Sequence, residues 1–127
     1  MVPAEEGTLR LIGYWRGPTS PQWPDPANFV DPDWDLHERE TVVQYLQGGF
    51  IFRAFGGLSP CRFCGKANGA LELTDGTWYW PDGLAHYLTD HHLRLPRVFV
   101  EHVYEELDRL GDFRQDTEWW GKQGGLD

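Results

Sequence analysis

The chain of 127 residues has room for one compact domain, and its 40% apolar and 15% aromatic content builds a modest, ring-rich core. A formal charge of -9 argues against nucleic acid as the main partner, because phosphate contacts by Lys and Arg supply most non-specific affinity. No apolar run reaches transmembrane length, and Glu5 and Glu6 stand where a signal peptide would be apolar, so the expectation is a cytoplasmic protein without a membrane partner.

In chain order, Thr8 to Trp15 alternates loosely and reads as a strand. The proline-rich stretch from Gly17 to Asp33 cannot form a ladder or a continuous helix, so it reads as a long extended loop pinned to the core by Trp23 and Phe29. Asp33 to Gln47 turns helical, with Leu36, Val43 and Leu46 on one face, Val42 alongside, and Gly48-Gly49 as the stop. Phe50 to Phe55 follows as an apolar strand, linked through Gly56-Gly57 to the segment that carries the only two cysteines.

That segment reads Cys61-Arg62-Phe63-Cys64-Gly65. Ala70 to Leu73 and Thr77 to Trp80 flank Asp75-Gly76, a dipeptide suited to a type I′ hairpin turn, which would place Trp78 and Trp80 on one face. Pro81 and Asp82 read as helix-start chemistry for a helix carrying Leu84 and Leu88 and ending before Pro96. A last helix, about Arg97 to Leu110, shows Phe99, Val100, Val103, Leu107 and Leu110 at helical spacing and is closed by Gly111; the tail beyond keeps Trp119-Trp120 in a polar setting.

Two thiolates from a knuckle and two imidazoles from a following helix are the donor set of a tetrahedral structural zinc site. Cys61, Cys64, His86 and His91 are therefore the candidate zinc ligands, and a Cys-x2-Cys pair in a reducing compartment points to metal more than to a disulfide. The fourth position is open: at about 100° per residue His86 and His91 lie about 140° apart on an ideal helix, and His92 is no better placed. Distortion of the last turn ahead of Pro96 would reconcile them, and Asp90, one turn after His86, is a third candidate; the order of preference is His91, His92, Asp90. His37 and His102 have no ligand-type neighbours and read as surface or packing residues.

The order knuckle, hairpin, helix resembles the treble-clef class of zinc fingers. The segment from Cys61 to Val100, with CRFCG, ELTDGTWYWPDGLAHYLTDHH and LRLPRVFV, resembles a group of small bacterial proteins without assigned activity that share a CxxCG, WPxGLAHYxxxH and RLP pattern. The resemblance covers about a third of the chain and implies Cys61, Cys64, His86 and His91 as the matching metal positions.

These readings converge on an α+β domain spanning residues 1–127, in which structural zinc ties the knuckle to the Leu84 helix while the Asp33 and Arg97 helices pack on a small antiparallel sheet. Residues 1–49 hold the first strand, proline-rich loop and helix, 50–96 the zinc module, and 97–127 the last helix and tail. The expected function is a zinc-supported surface that binds another protein, with Trp23, Trp34, Trp119 and Trp120 as candidate anchors. The alternatives are a zinc-dependent hydrolase or nuclease, for which Glu72, Asp75, Asp82 and Asp90 are the available carboxylates, and a nucleic-acid-binding finger using Arg53, Arg62, Lys66, Arg94 and Arg97. Thioredoxin-like redox chemistry at the cysteines is disfavoured, because Lys66 to Gly69 reads as a turn and not as the helix N-terminus that would activate a thiol.

Overall fold

A computed structural model describes residues 7–54 and 59–126 and divides the chain into two compact units, Met1–Pro96 and Arg97–Asp127. Phe55 and the Gly56-Gly57 link lie outside the described residues.

The first unit is α+β. Its sheet has four strands, β1 (Arg10–Leu11), β2 (Phe50–Ala54), β3 (Leu71–Thr74) and β4 (Trp78–Pro81), in the order β1-β4-β3-β2. The antiparallel expectation holds for β2, β3 and β4, but β1 adds to β4 in parallel, pairing Arg10 with Trp78 and Leu11 with Tyr79. β1 is also shorter than the stretch from Thr8 to Trp15 that its alternation predicts. Beyond Ile12, whose N–H still reaches the Tyr79 carbonyl, the chain leaves the sheet edge to bring Tyr14 and Trp15 against the proline-rich segment.

That segment is not wholly extended. Pro26–Phe29 forms one 3-10 turn, capped by the Asp25 carboxylate accepting from the Ala27 N–H, with proline where its missing donor costs nothing. The loop is nevertheless pinned as expected: Phe29 packs on Trp15, Trp23 on Tyr14, and the backbone at Phe29–Asp31 bonds to that at His92–Arg94.

Helix α1 (Leu36–Gln47) begins at Asp35, whose carboxylate caps the Glu38 N–H, and buries Val42, Val43 and Leu46. Leu36, expected on that face, is exposed because it sits at the first helical position, ahead of the covered turns. The α1 stripe meets the sheet face carrying Leu73, Trp78 and Trp80, all buried as the shared face of the two tryptophans predicts. The Trp80 indole N–H donates to the Leu46 carbonyl at 3.1 Å, so this large ring enters the core without stranding its polar atom.

On the opposite sheet face Glu72 is buried, receives the Tyr14 hydroxyl and faces Arg53 at 3.6 Å. Burial first, and the Glu72 carboxylate second, push the Tyr14 hydroxyl above its ordinary value, which keeps it a donor.

The hairpin turn differs from type I′. Gly76 alone takes positive φ, while the Asp75 carboxylate accepts from the N–H groups of Thr77 and Trp78, so an Asx-type turn takes over the backbone donors. Pro81 closes β4 and does not open a helix; α2 (Leu84–His91) starts at Gly83, and Asp82 is used across the sheet end, on the Leu71 N–H. The second unit holds α3 (Arg97–Gly111), with Phe99, Val100 and Val103 buried and Leu107 and Leu110 exposed, followed by a single helical turn, α4 (Glu118–Gly121).

Candidate metal centre

The cysteines occupy a tight knuckle whose geometry follows from its backbone bonds. Ser59 and Asn68, then Cys61 and Lys66, pair across it, and the Gly65 N–H returns to the Cys61 carbonyl at 2.9 Å. Gly65 sits at φ +72, a conformation glycine adopts without a Cβ penalty, and this turn brings Cys64 back beside Cys61. The Phe63 N–H points at the Cys61 sulfur at 3.4 Å, the kind of backbone donor that stabilises a metal-bound thiolate.

The histidines come from α2, whose last turn is widened. The His92 N–H donates to the Tyr87 carbonyl five residues back, and the Leu93 N–H reaches the same carbonyl at 3.2 Å. A turn of this width advances fewer degrees per residue than an α-turn, so two histidines five apart swing toward one another. Their ring centroids stand 5.0 Å apart, which resolves the 140° separation of the ideal helix.

One donor atom from each of Cys61, Cys64, His86 and His91 lies within 4.8 Å of all the others, close enough to bind a metal ion. A tetrahedral shell with bonds of ~2.0–2.3 Å sets its donors roughly 3.3–3.8 Å apart. The Cys64 sulfur and His86 Nε2 already stand 3.4 Å apart. The His91 Nε2 is buried with no hydrogen-bond partner among the described residues, an orphan that a metal bond would satisfy.

His92 and Asp90 are placed elsewhere. His92 takes the left-handed conformation that ends the helix, φ 58, and its Nδ1 lies 3.4 Å from the Arg39 guanidinium. Asp90 faces the other nitrogen of His86, with Oδ2 3.4 Å from Nδ1, the relation of a carboxylate that orients a ligand imidazole. A hydrogen bond from the Thr89 hydroxyl, with His86 and His91 nearby, holds the Asp90 carboxyl below its ordinary range. Asp90→Ala should therefore weaken metal binding by roughly tenfold or more without abolishing it, while His92→Ala should leave it unchanged; chelator competition distinguishes the two. Complete loss in Asp90→Ala would make this carboxylate a ligand.

Aromatic rings wall the site. Phe63 stacks on His91 at 4.9 Å, and Tyr87 packs against Phe63 and His91 while its hydroxyl accepts the Arg62 N–H at 2.9 Å. Burial pushes the Tyr87 hydroxyl up, and the neighbouring Cys61 sulfur adds to the shift. Tyr87 was not legible as a site residue: its apolar neighbours make it look like core, and only the fold brings its hydroxyl to the knuckle.

The carboxylates available for a catalytic role have other work. Glu72 holds Tyr14 and Arg53, Asp75 caps the hairpin and accepts the Tyr45 hydroxyl, Asp82 caps Leu71, and Asp90 serves His86. Among the basic residues, Arg53 stacks on Phe52, Arg62 donates to the Arg16 and Pro60 carbonyls, and Arg94 pairs with Asp31 over the Trp34 ring. Of the four candidate anchors, Trp34 is buried, with its indole N–H donating to the half-exposed Glu38, and Trp23 is half-buried; Trp119 and Trp120 are 64% and 73% exposed.

Among the described residues, no helix is long and apolar enough to cross a membrane. No protein-family model, curated protein or solved structure matches this chain.

Proposed function

We propose that the chain is a zinc-stabilised module for binding another protein, with a structural Cys2His2 zinc of treble-clef-like arrangement fastening its knuckle to α2. The observation that carries this reading is the closed donor set: two cysteines and two histidines converge, and the buried His91 Nε2 has no other partner among the described residues. Four protein ligands fill a tetrahedral zinc and leave no position for a catalytic water, which favours scaffolding over hydrolysis. The engagement of Glu72, Asp75, Asp82 and Asp90 in capping and pairing points the same way.

The interaction surface is read from exposed rings. Trp119 and Trp120 stack on one another in the tail, and β2 presents Phe50 and Ile51, 76% and 69% exposed, on an edge strand. Exposed aromatic and apolar groups of this kind are the residues that anchor protein partners. Metal-edge absorption on protein purified without added metal should give zinc in a shell of two sulfurs and two nitrogens; an oxygen in the shell would move the reading to a zinc hydrolase. A partner retained by affinity capture should then be lost in Trp119→Ala/Trp120→Ala with zinc content unchanged, and retention in that variant would dismiss the tail as the anchor.

A further inference from the structure

Behind the knuckle, within the first unit, lies a cavity of about 350 Å³ that the metal centre does not use. One wall is the N-terminal segment with Tyr14, Trp15, Ser20 and Trp23; the other is the knuckle, with Arg62 and Asn68. This is the size range of a small-molecule site, and its make-up of aromatic walls with a few polar groups is that of such sites.

Three observations define what it would hold. First, in a chain of net charge -9 the described residues of the lining include one cation, Arg62, and no acid. Second, the guanidinium is fixed in place: Nε donates to the Arg16 carbonyl at 3.1 Å and Nη1 to the Pro60 carbonyl at 2.9 Å, leaving Nη2 without an acceptor among the described residues. Third, Trp15 lines the cavity as an aromatic wall, its ring held between Phe29 and Tyr87.

We propose that this cavity is a binding site for a small aromatic monocarboxylate, its carboxylate taken by Arg62 and its ring lying among Tyr14, Trp15 and Trp23. A planar carboxylate suits the guanidinium fork. A doubly charged phosphate would meet only a single cation, the other polar groups of the lining being neutral, and a neutral ligand would leave the guanidinium's free edge unused. A second, smaller apolar cavity of about 160 Å³ shares Gly13, Tyr14, Trp15 and Trp23 and gives room for a larger ring system. The site goes beyond the proposed protein-binding role and depends on the metal only in that Arg62 lies between Cys61 and Cys64.

The test is a titration of the zinc-loaded full chain with phenylacetate, and separately with neutral phenylacetamide, following the indole N–H resonances; Trp15→Phe assigns the Trp15 signal. The expected result is a saturable shift of the Trp15 indole with the acid, at least ~tenfold weaker binding of the amide, and a similar loss for the acid in Arg62→Gln. No saturation by the acid up to about 10 mM, or equal affinity for acid and amide, would overturn the proposal. The comparison of acid with amide in the wild-type protein decides the matter even if Arg62→Gln loses its metal, and zinc content measured on the same samples keeps this result separate from the fate of the zinc reading.

Discussion

Cys64→Ser is expected to abolish metal binding and to replace the cooperative melt of the first unit with a low, broad transition. Binding free energy at a structural zinc is folding free energy, typically ~10 kcal/mol or more, whereas a domain of this size has a total stability of roughly 5–15 kcal/mol. The knuckle is otherwise tied to α2 by few polar contacts, chiefly the Arg62 N–H on the Tyr87 hydroxyl and the Asn68 amide on the Gly83 carbonyl. These are worth about 1 kcal/mol each and cannot replace the metal. Cys64 is the informative position because it is exposed: serine there leaves no cavity, so the loss reports the missing thiolate. Cys61, at 3% exposure, would mix a packing defect into the result. Calorimetry of both proteins with and without a chelator checks this. A variant that melts cooperatively at the wild-type temperature would show that the metal does not hold the fold.

The parts of this molecule that could be read in the sequence are those with a local cause. Gly65 after Cys64, Asp35 ahead of α1 and the alternation of Trp78 with Trp80 each act within a few residues, and each does what its chemistry predicts. What escaped depends on distant neighbours. The composition of Phe50–Ala54 gives no sign that β2 is the last strand of the sheet, so its apolar residues look like core until the strand order places them at an edge. The parallel addition of β1 is equally silent, since alternation carries no direction. Asp75-Gly76 fits type I′ by residue preference, but the Asp75 side chain captures two N–H groups and a different turn results. The candidate donor set is visible as residue types at workable spacing, whereas the placement of His91, and not His92, beside the other three follows the widened turn closed at the Tyr87 carbonyl, a feature with no residue signature beyond the helix stop ahead of Pro96.

Gly83→Ala is the second substitution with a large expected effect, although it removes no ligand and no hydrogen-bonding group. Gly83 has ordinary helical dihedrals, φ -75 and ψ -3, so alanine meets no backbone penalty there. The obstacle is contact: a Cβ would lie 2.2 Å from the Asn68 carbonyl oxygen and 2.5 Å from its side-chain amide. Asn68 cannot step aside cheaply, because its N–H is held by the Ser59 carbonyl across the knuckle and its side-chain amide donates to the Gly83 carbonyl at 3.0 Å. The added methyl must therefore push the knuckle away from the start of α2, separating the cysteine pair from the histidine pair. Overpacking of this kind costs about 1–3 kcal/mol. Because the proposed metal site takes two donors from each of the two displaced elements, metal affinity should fall together with stability while all four donor residues remain in the chain. Gly121→Ala, where a Cβ meets nothing within 4 Å, is the control and should change neither. Thermal melts and chelator competition on the two variants test this, and unchanged zinc affinity in Gly83→Ala would mean that the knuckle and α2 are not held at the close approach on which the metal site depends.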